Sequence, residues 1–186
     1  IALSGGGKGF CGGYDLVASA GGEIHEQAAE GTFAKGSPLD PMVTMANHDP
    51  SKVWDPMLDY QFMSRNVRAF MSLFHSDKPV VCKVHGFCVA GGTDLALCSD
   101  LLVAEDVCKI GYAPARVWGV PTTALWVHGI GVTRARRLLL TGDCISGTEA
   151  VEWGLASEAA PAAPLDERFE ALLARIARVP VNQLLM

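Results

Sequence analysis

The sequence predicts an α/β protein with parallel strands, and three observations carry that reading. Two apolar, strand-like runs, Ile1-Ala2-Leu3-Ser4 and Val80-Val81-Cys82-Lys83-Val84, each lead into a glycine-rich turn. A helix start follows each turn. After the second helix comes another apolar run, Leu101 to Ala104. Strand, glycine turn, helix and strand in that order is what βαβ units produce.

Taken in chain order, the first turn is Gly5-Gly6-Gly7-Lys8-Gly9-Phe10-Cys11-Gly12-Gly13, with a short helix expected near Asp15. Residues 20 to about 55 show no sustained periodicity and hold Gly21, Gly22, Pro38, Pro41 and Pro50, which marks a long loop. Loops of that length inside compact domains are usually functional or mobile. Asp55-Pro56 supplies an N-cap and a proline at the first helical position. Met63, Val67, Phe70, Met71 and Phe74 then form one apolar helical face, which ends before Lys78-Pro79. The second turn, His85-Gly86-Phe87-Cys88-Val89-Ala90-Gly91-Gly92, opens a helix from about Thr93 to Cys98. Beyond residue 120 the pattern is helical. Ser146-Gly147-Thr148-Glu149 reads as a capping box into Ala150 to Trp153. Phe169, Leu172, Leu173 and Ile176 mark an amphipathic helix with Asp166 and Glu167 in its first turn.

Residues 1–186 fit one domain, long enough to bury a substantial core. Hydrophobic residues at 49% against charged residues at 19% indicate an ordered, soluble chain, and no apolar run reaches the roughly 20 residues a membrane span needs. The net charge of −5 argues against nonspecific nucleic-acid binding. Arg134, Arg136 and Arg137 read as a solvated helix face. The cysteines at 11, 82, 88, 98, 108 and 144 form no C-x-x-C pair, so their spacing does not suit zinc. Several lie in apolar contexts, as reduced core thiols of a cytoplasmic protein would. Ile1 sits inside a strand-like run and the chain stops at Leu184-Leu185-Met186, so it is expected to be a fragment shortened at both ends.

Gly7-Lys8-Gly9-Phe10-Cys11-Gly12 satisfies G-x-G-x-x-G, but a long irregular stretch follows where a dinucleotide site needs a full helix. A Walker A reading fails because Gly9, not Ser or Thr, follows Gly7-Lys8. The pairing of two turns says more. The first N–H groups of a helix lack intrahelical partners and lie at the positive end of its dipole. Two such turns meeting in space would offer two donors to one developing oxyanion, each worth about 3–4 kcal/mol of transition-state stabilisation. Spacing alone favours two ordinary strand-to-helix turns.

Ile1-Ala2-Leu3-Ser4-Gly5 through Phe10-Cys11-Gly12-Gly13-Tyr14-Asp15-Leu16 resembles the first oxyanion motif of the crotonase, or enoyl-CoA hydratase/isomerase, superfamily. Lys83-Val84-His85-Gly86-Phe87-Cys88-Val89-Ala90-Gly91-Gly92-Thr93-Asp94-Leu95-Ala96-Leu97-Cys98-Ser99-Asp100 resembles the second. Ile110-Gly111, Gly119-Val120-Pro121, Leu140-Thr141-Gly142 and Glu149 to Leu155 continue the likeness. The resemblance implies a crotonase-like superhelix of ββα turns with helices in the C-terminal third. It implies that the Tyr14 and Gly91 N–H groups hold a thioester carbonyl, with Gly12, Gly13, Leu16 and Gly92 lining the substrate channel. It further implies an acyl-CoA thioester as substrate, no cofactor beyond the coenzyme A that substrate carries, no metal, and homotrimers or homohexamers.

Hydratases of that family use two glutamates. The first falls on Asp94, one methylene shorter; the second falls most nearly on Pro114, which has no acid. Tyr112 and Arg116 are polar neighbours in sequence, read as a packing tyrosine and a surface arginine. The expected activity is hydration of a 2-enoyl-CoA. Double-bond isomerisation, decarboxylation, thioester hydrolysis and acyl-CoA binding without turnover are the alternatives on the same fold. A Clp-type serine protease lacks a G-x-S-x-G turn here, and a nicotinamide enzyme is the remaining alternative.

Overall fold

The computed structural model describes residues 1–13, 36, 40–116 and 119–185. The helix expected near Asp15 lies outside the described residues. The chain divides into two compact units, one of Ile1–Gly13 with Phe70–Met186 and one of Tyr14–Ala69.

The larger unit is built on parallel strands. β1 (Ala2–Ser4), β2 (Val81–Val84), β4 (Leu101–Glu105) and β7 (Glu158–Ala160) form one all-parallel sheet in the order β1-β2-β4-β7. Ala2 pairs with Val81, Val81 with Leu101, and Val103 with Glu158. A second sheet holds β3 (Phe87–Val89), β5 (Lys109–Gly111) and β6 (Cys144–Ile145) in the order β3-β5-β6. β3 and β5 are parallel, and β6 runs antiparallel to β5. The chain steps between sheets, β2 to β3 and then, through α3 (Gly91–Ala96), β4 to β5. That is the expected ββα spiral. One correction concerns the second glycine turn, which contains a strand, β3. Phe87-Cys88-Val89 is an apolar triplet too short to announce itself by period.

Side chains alternate along a strand, so a parallel sheet covered on both sides buries consecutive apolar residues. Cys82, Val84, Leu102 and Ala104 share a core with Cys88, Ile110, Trp126 and Leu138. Val81 and Val103 face the other way, onto Leu165 and Phe169 of α6 (Ala162–Ile176). α6 starts earlier than the sequence suggested, so Asp166 and Glu167 fall in its second turn. Asp166 pairs instead with Lys83, whose Nζ lies 5.5 Å from the centre of the Phe169 ring.

α4 (Leu125–Thr141) bends at Gly131 and ends on Gly142, whose N–H returns to Leu138 O. Arg134 and Arg137 lie over Trp153, and Arg134 donates to Trp153 O, which accounts for two of the three clustered arginines as a helix face. α5 (Gly147–Glu152) carries the expected capping box, with Ser146 Oγ accepting from Glu149 N–H and Ser146 N–H donating to Glu149 Oε2 at 2.8 Å. α7 (Val181–Leu184) follows α6. No helix among the described residues is long and apolar enough to cross a membrane.

The smaller unit contains α1 (Pro41–Asn47) and most of α2 (Pro56–Phe74). α2 starts as expected, with Asp55 Oδ1 accepting from Met57 N–H. α1 lies within the stretch read as loop. It starts by the same device, Asp40 Oδ1 accepting from Met42 N–H ahead of Pro41. The Asn47 side chain closes the link between the two helices through both backbone groups of Asp55.

Replacing Ser146 by Ala removes an N-cap and one side of the box. We expect a loss of about 1 kcal/mol in urea unfolding, with the folded-state circular dichroism unchanged.

Candidate active site

The first glycine turn lies along β3. Phe10 N–H donates to His85 O and Phe87 O at 3.0 and 2.9 Å, and Val89 N–H donates to Cys11 O at 3.0 Å. Cys11 thereby bridges Cys88 in parallel. His85 Nε2–H adds a bond of 2.8 Å to Gly7 O, which occupies the ring nitrogen that a serine protease would use as base. The two turns then touch where side chains are absent. Gly13 has φ +95°, and a Cβ there would stand 2.7 Å from Ala90 Cβ and 3.2 Å from Gly91 N. A Cβ on Gly92 would stand 2.5 Å from Cys11 O. Main chain from one motif therefore packs directly on main chain from the other, at a distance only glycine permits.

Between Gly13 and Gly91 sits Ala90, whose φ of 54° makes it the sole non-glycine residue with positive φ among those described. Its backbone is tied from three sides. Ala90 N–H donates to Gly111 O, while Ala90 O accepts from Thr93 N–H and from Thr93 Oγ1 at 2.6 Å. Strain of this kind costs on the order of 1–3 kcal/mol and persists where surrounding bonds over-determine it. The Gly91 N–H that follows has no hydrogen-bond partner among the described residues. Tyr14 and Leu16, the other expected contributors, lie outside the described residues. Gly12 is exposed beside Phe87.

Asp94 stands three residues beyond Gly91, in the first turn of α3. It is 0% exposed, and neither carboxylate oxygen has a partner in hydrogen-bonding geometry among the described residues. Burial pushes the carboxyl from 3.8 up to about 6; the Thr122 hydroxyl and N–H favour the ionised form and recover part of that rise. The neighbouring thiols are no rival nucleophiles. Burial pushes Cys82 and Cys108 up to about 12 and Cys98 up to about 11, and raises Cys88 well above its ordinary value. All stay protonated at neutral pH.

Pro114 lies in a 3₁₀ turn, Ala113–Arg116, and its carbonyl accepts from Gly119 N–H at 2.9 Å. No acid replaces it there. Glu105 is engaged elsewhere, its Oε2 accepting from Gly86 N–H at 2.6 Å. Tyr112 is buried, with its hydroxyl donating to Val120 O at 2.7 Å, and Arg116 holds Thr141 O and Asp143. The packing reading of that tyrosine and the surface reading of that arginine fit these contacts. Sequence reasoning passed over Thr122, and its adjacency to Thr123 after Pro121 in an apolar stretch was the available signal.

The family described as Enoyl-CoA hydratase/isomerase matches residues 30–186. The chain belongs to the enoyl-CoA hydratase/isomerase family. A crystal structure of an enoyl-CoA hydratase from Mycobacterium smegmatis superposes with a TM-score of 0.87 at 53% identity, covering 100% of this chain and 58% of that one. A Thermobifida fusca structure in complex with acetoacetyl-CoA gives a TM-score of 0.75 at 25% identity, covering 98% of this chain and 65% of that one. The (E)-benzylidenesuccinyl-CoA hydratase of Thauera aromatica is 34% identical over 84 residues, 44% of this chain and 33% of the relative. The chain spans between about a third and about half of the length of the first curated relatives.

Two outcomes follow for this member of the enoyl-CoA hydratase/isomerase family. Gly92→Ala forces Cβ against Cys11 O, so we expect a loss of about 1–3 kcal/mol in denaturant unfolding. Asp94 holds its proton more tightly folded than unfolded, so stability falls as pH rises from about 4 to about 6 and stays lower above. The rise from 3.8 to about 6 corresponds to about 3 kcal/mol. Asp94→Asn should therefore be the more stable protein at pH 7.5, and the difference should vanish near pH 4, both read by urea unfolding.

Proposed function

We propose that the protein hydrates a 2-enoyl-CoA. The thioester oxygen accepts from Gly91 N–H and Tyr14 N–H, which hold the enolate that forms when water adds at C3. Asp94, as carboxylate, takes a proton from that water, and a proton is delivered to C2. The observation that carries this reading is Asp94 itself. A buried carboxyl with two unpartnered oxygens, one helical turn from an unpartnered N–H, is destabilising unless a ligand completes it. Support comes from the Mycobacterium smegmatis enoyl-CoA hydratase and from the acetoacetyl-CoA bound in the Thermobifida fusca structure.

Main chain at Gly12, Gly13, Leu16 and Gly92, with Pro114, would line the substrate channel. Coenzyme A enters with the substrate, and no further cofactor takes part. The protein would work in the cytoplasm as a homotrimer or homohexamer.

One observation favours a second reading. The absence of an acid at Pro114 fits an acyl-CoA-binding relative that does not turn its ligand over.

The deciding measurement is ultraviolet loss of the conjugated thioester of crotonyl-CoA, with Asp94→Asn beside the parent. We expect turnover in the parent and a fall of about 10²–10⁴-fold in the variant, the range typical of general acid–base catalysis. Butyryl-CoA binding without any crotonyl-CoA turnover would replace hydration with the second reading.

A further inference from the structure

Five buried polar side-chain atoms without hydrogen-bond partners sit on α3, the segment leading into α4 and the first turn of α4: both Asp94 oxygens, Thr122 Oγ1, Thr123 Oγ1 and Trp126 Nε1. Such atoms are uncommon in folded proteins, and a group of them signals ligand or solvent contact rather than packing. Thr122 lies near enough to Asp94 for its hydroxyl and N–H to favour the carboxylate, yet neither Asp94 oxygen nor the Thr122 hydroxyl has a partner in hydrogen-bonding geometry among the described residues, which leaves room for a shared water. The segment is held in place independently, because Tyr112 Oη–H donates to Val120 O two residues upstream and Gly119 N–H donates to Pro114 O. A threonine hydroxyl offers one donor and two acceptor lone pairs, which suits it to share a water with a carboxylate.

We propose that Thr122 is the second polar group of the site, positioning the reacting water against Asp94 in a chain whose Pro114 supplies no acid. This rests on the hydratase reading above. Water is gripped between the Thr122 hydroxyl and one Asp94 oxygen. As the water oxygen bonds to C3, one of its O–H bonds breaks and that proton passes to Asp94. The π pair of the double bond moves into the thioester enolate, and the proton then goes to C2. Thr122 begins and ends as a neutral hydroxyl, so it orients and transfers no net proton. Cys88 and Cys98, the titratable neighbours of Asp94, stay protonated throughout.

The experiment compares Thr122→Val, which keeps the side-chain shape, with Thr122→Ser, which keeps the hydroxyl, in the full protein. Kcat for crotonyl-CoA hydration should fall about tenfold to a hundredfold in Thr122→Val, with butyryl-CoA affinity unchanged, and should return in Thr122→Ser. A structural role would lower both variants together. A second readout needs no turnover. With the carboxyl carbon of aspartate labelled with carbon-13, the Asp94 titration should move upward in Thr122→Val, because a group favouring the carboxylate is gone, and hold in Thr122→Ser. An unchanged kcat in Thr122→Val, or an unmoved titration, overturns the proposal. Should the parent fail to hydrate crotonyl-CoA, the hydratase reading falls, and the titration alone decides whether Thr122 and Asp94 act as a pair.

Discussion

Backbones of two segments can lie in contact only where neither presents a Cβ to the other, and the larger unit depends on that at Gly13 and Gly92. The first glycine lets its turn close on Ala90 and Gly91, and the second lets Cys11 O sit against α3. The parallel main-chain pairing of Cys11 with Cys88 and the bonds from Phe10 then lock the register. Everything downstream follows from this closure. It sets the direction in which Gly91 N–H points, and it starts α3 at the point that buries Asp94 one turn later. Ala90 absorbs the geometric conflict, held at positive φ by bonds to Gly111 and Thr93.

The same closure makes the site expensive in free energy. A carboxyl carried fully inside and left without partners favours its protonated form, and a protein selected for stability alone would place an amide or a hydrophobe there. Stability and the chemistry proposed for Asp94 are opposed at this one residue. The surrounding core is well suited to bear the load, with both faces of the main sheet covered and apolar residues on successive positions of β2 and β4.

Much of the fold was legible because its signals are local and repeated. Asp55-Pro56 and Ser146 to Glu149 announce helix starts through bonds made within four residues, and those bonds are present. Asp40-Pro41 carries the same signal and was hidden by the surrounding glycines and prolines. Strands of two or three residues such as β3 and β6 have too few positions for period to show, and only pairing partners far along the chain define them. In the site, Gly91 and Asp94 could be marked from the resemblance of the second glycine turn to the family's motif. Thr122 could not, since its relation to Asp94 exists only once Tyr112 and Pro114 have folded their segment back. Glu105 likewise finds its place only in the fold, where its Oε2 accepts from Gly86 N–H.

β1 and β2 are neighbours in the sheet although Ala2 and its partner Val81 lie far apart in the sequence, so a long excursion of chain joins two adjacent lanes. Closing such an excursion grows only logarithmically harder with its length, about 0.6 kcal/mol for each doubling. Evolution can therefore lengthen, shorten or replace the residues between the two lanes almost without charge to the scaffold. Diversification is cheap at that junction and dear at Gly13, Gly92 and Asp94, so descendants of one such chain would be expected to keep the anchors and differ in the excursion.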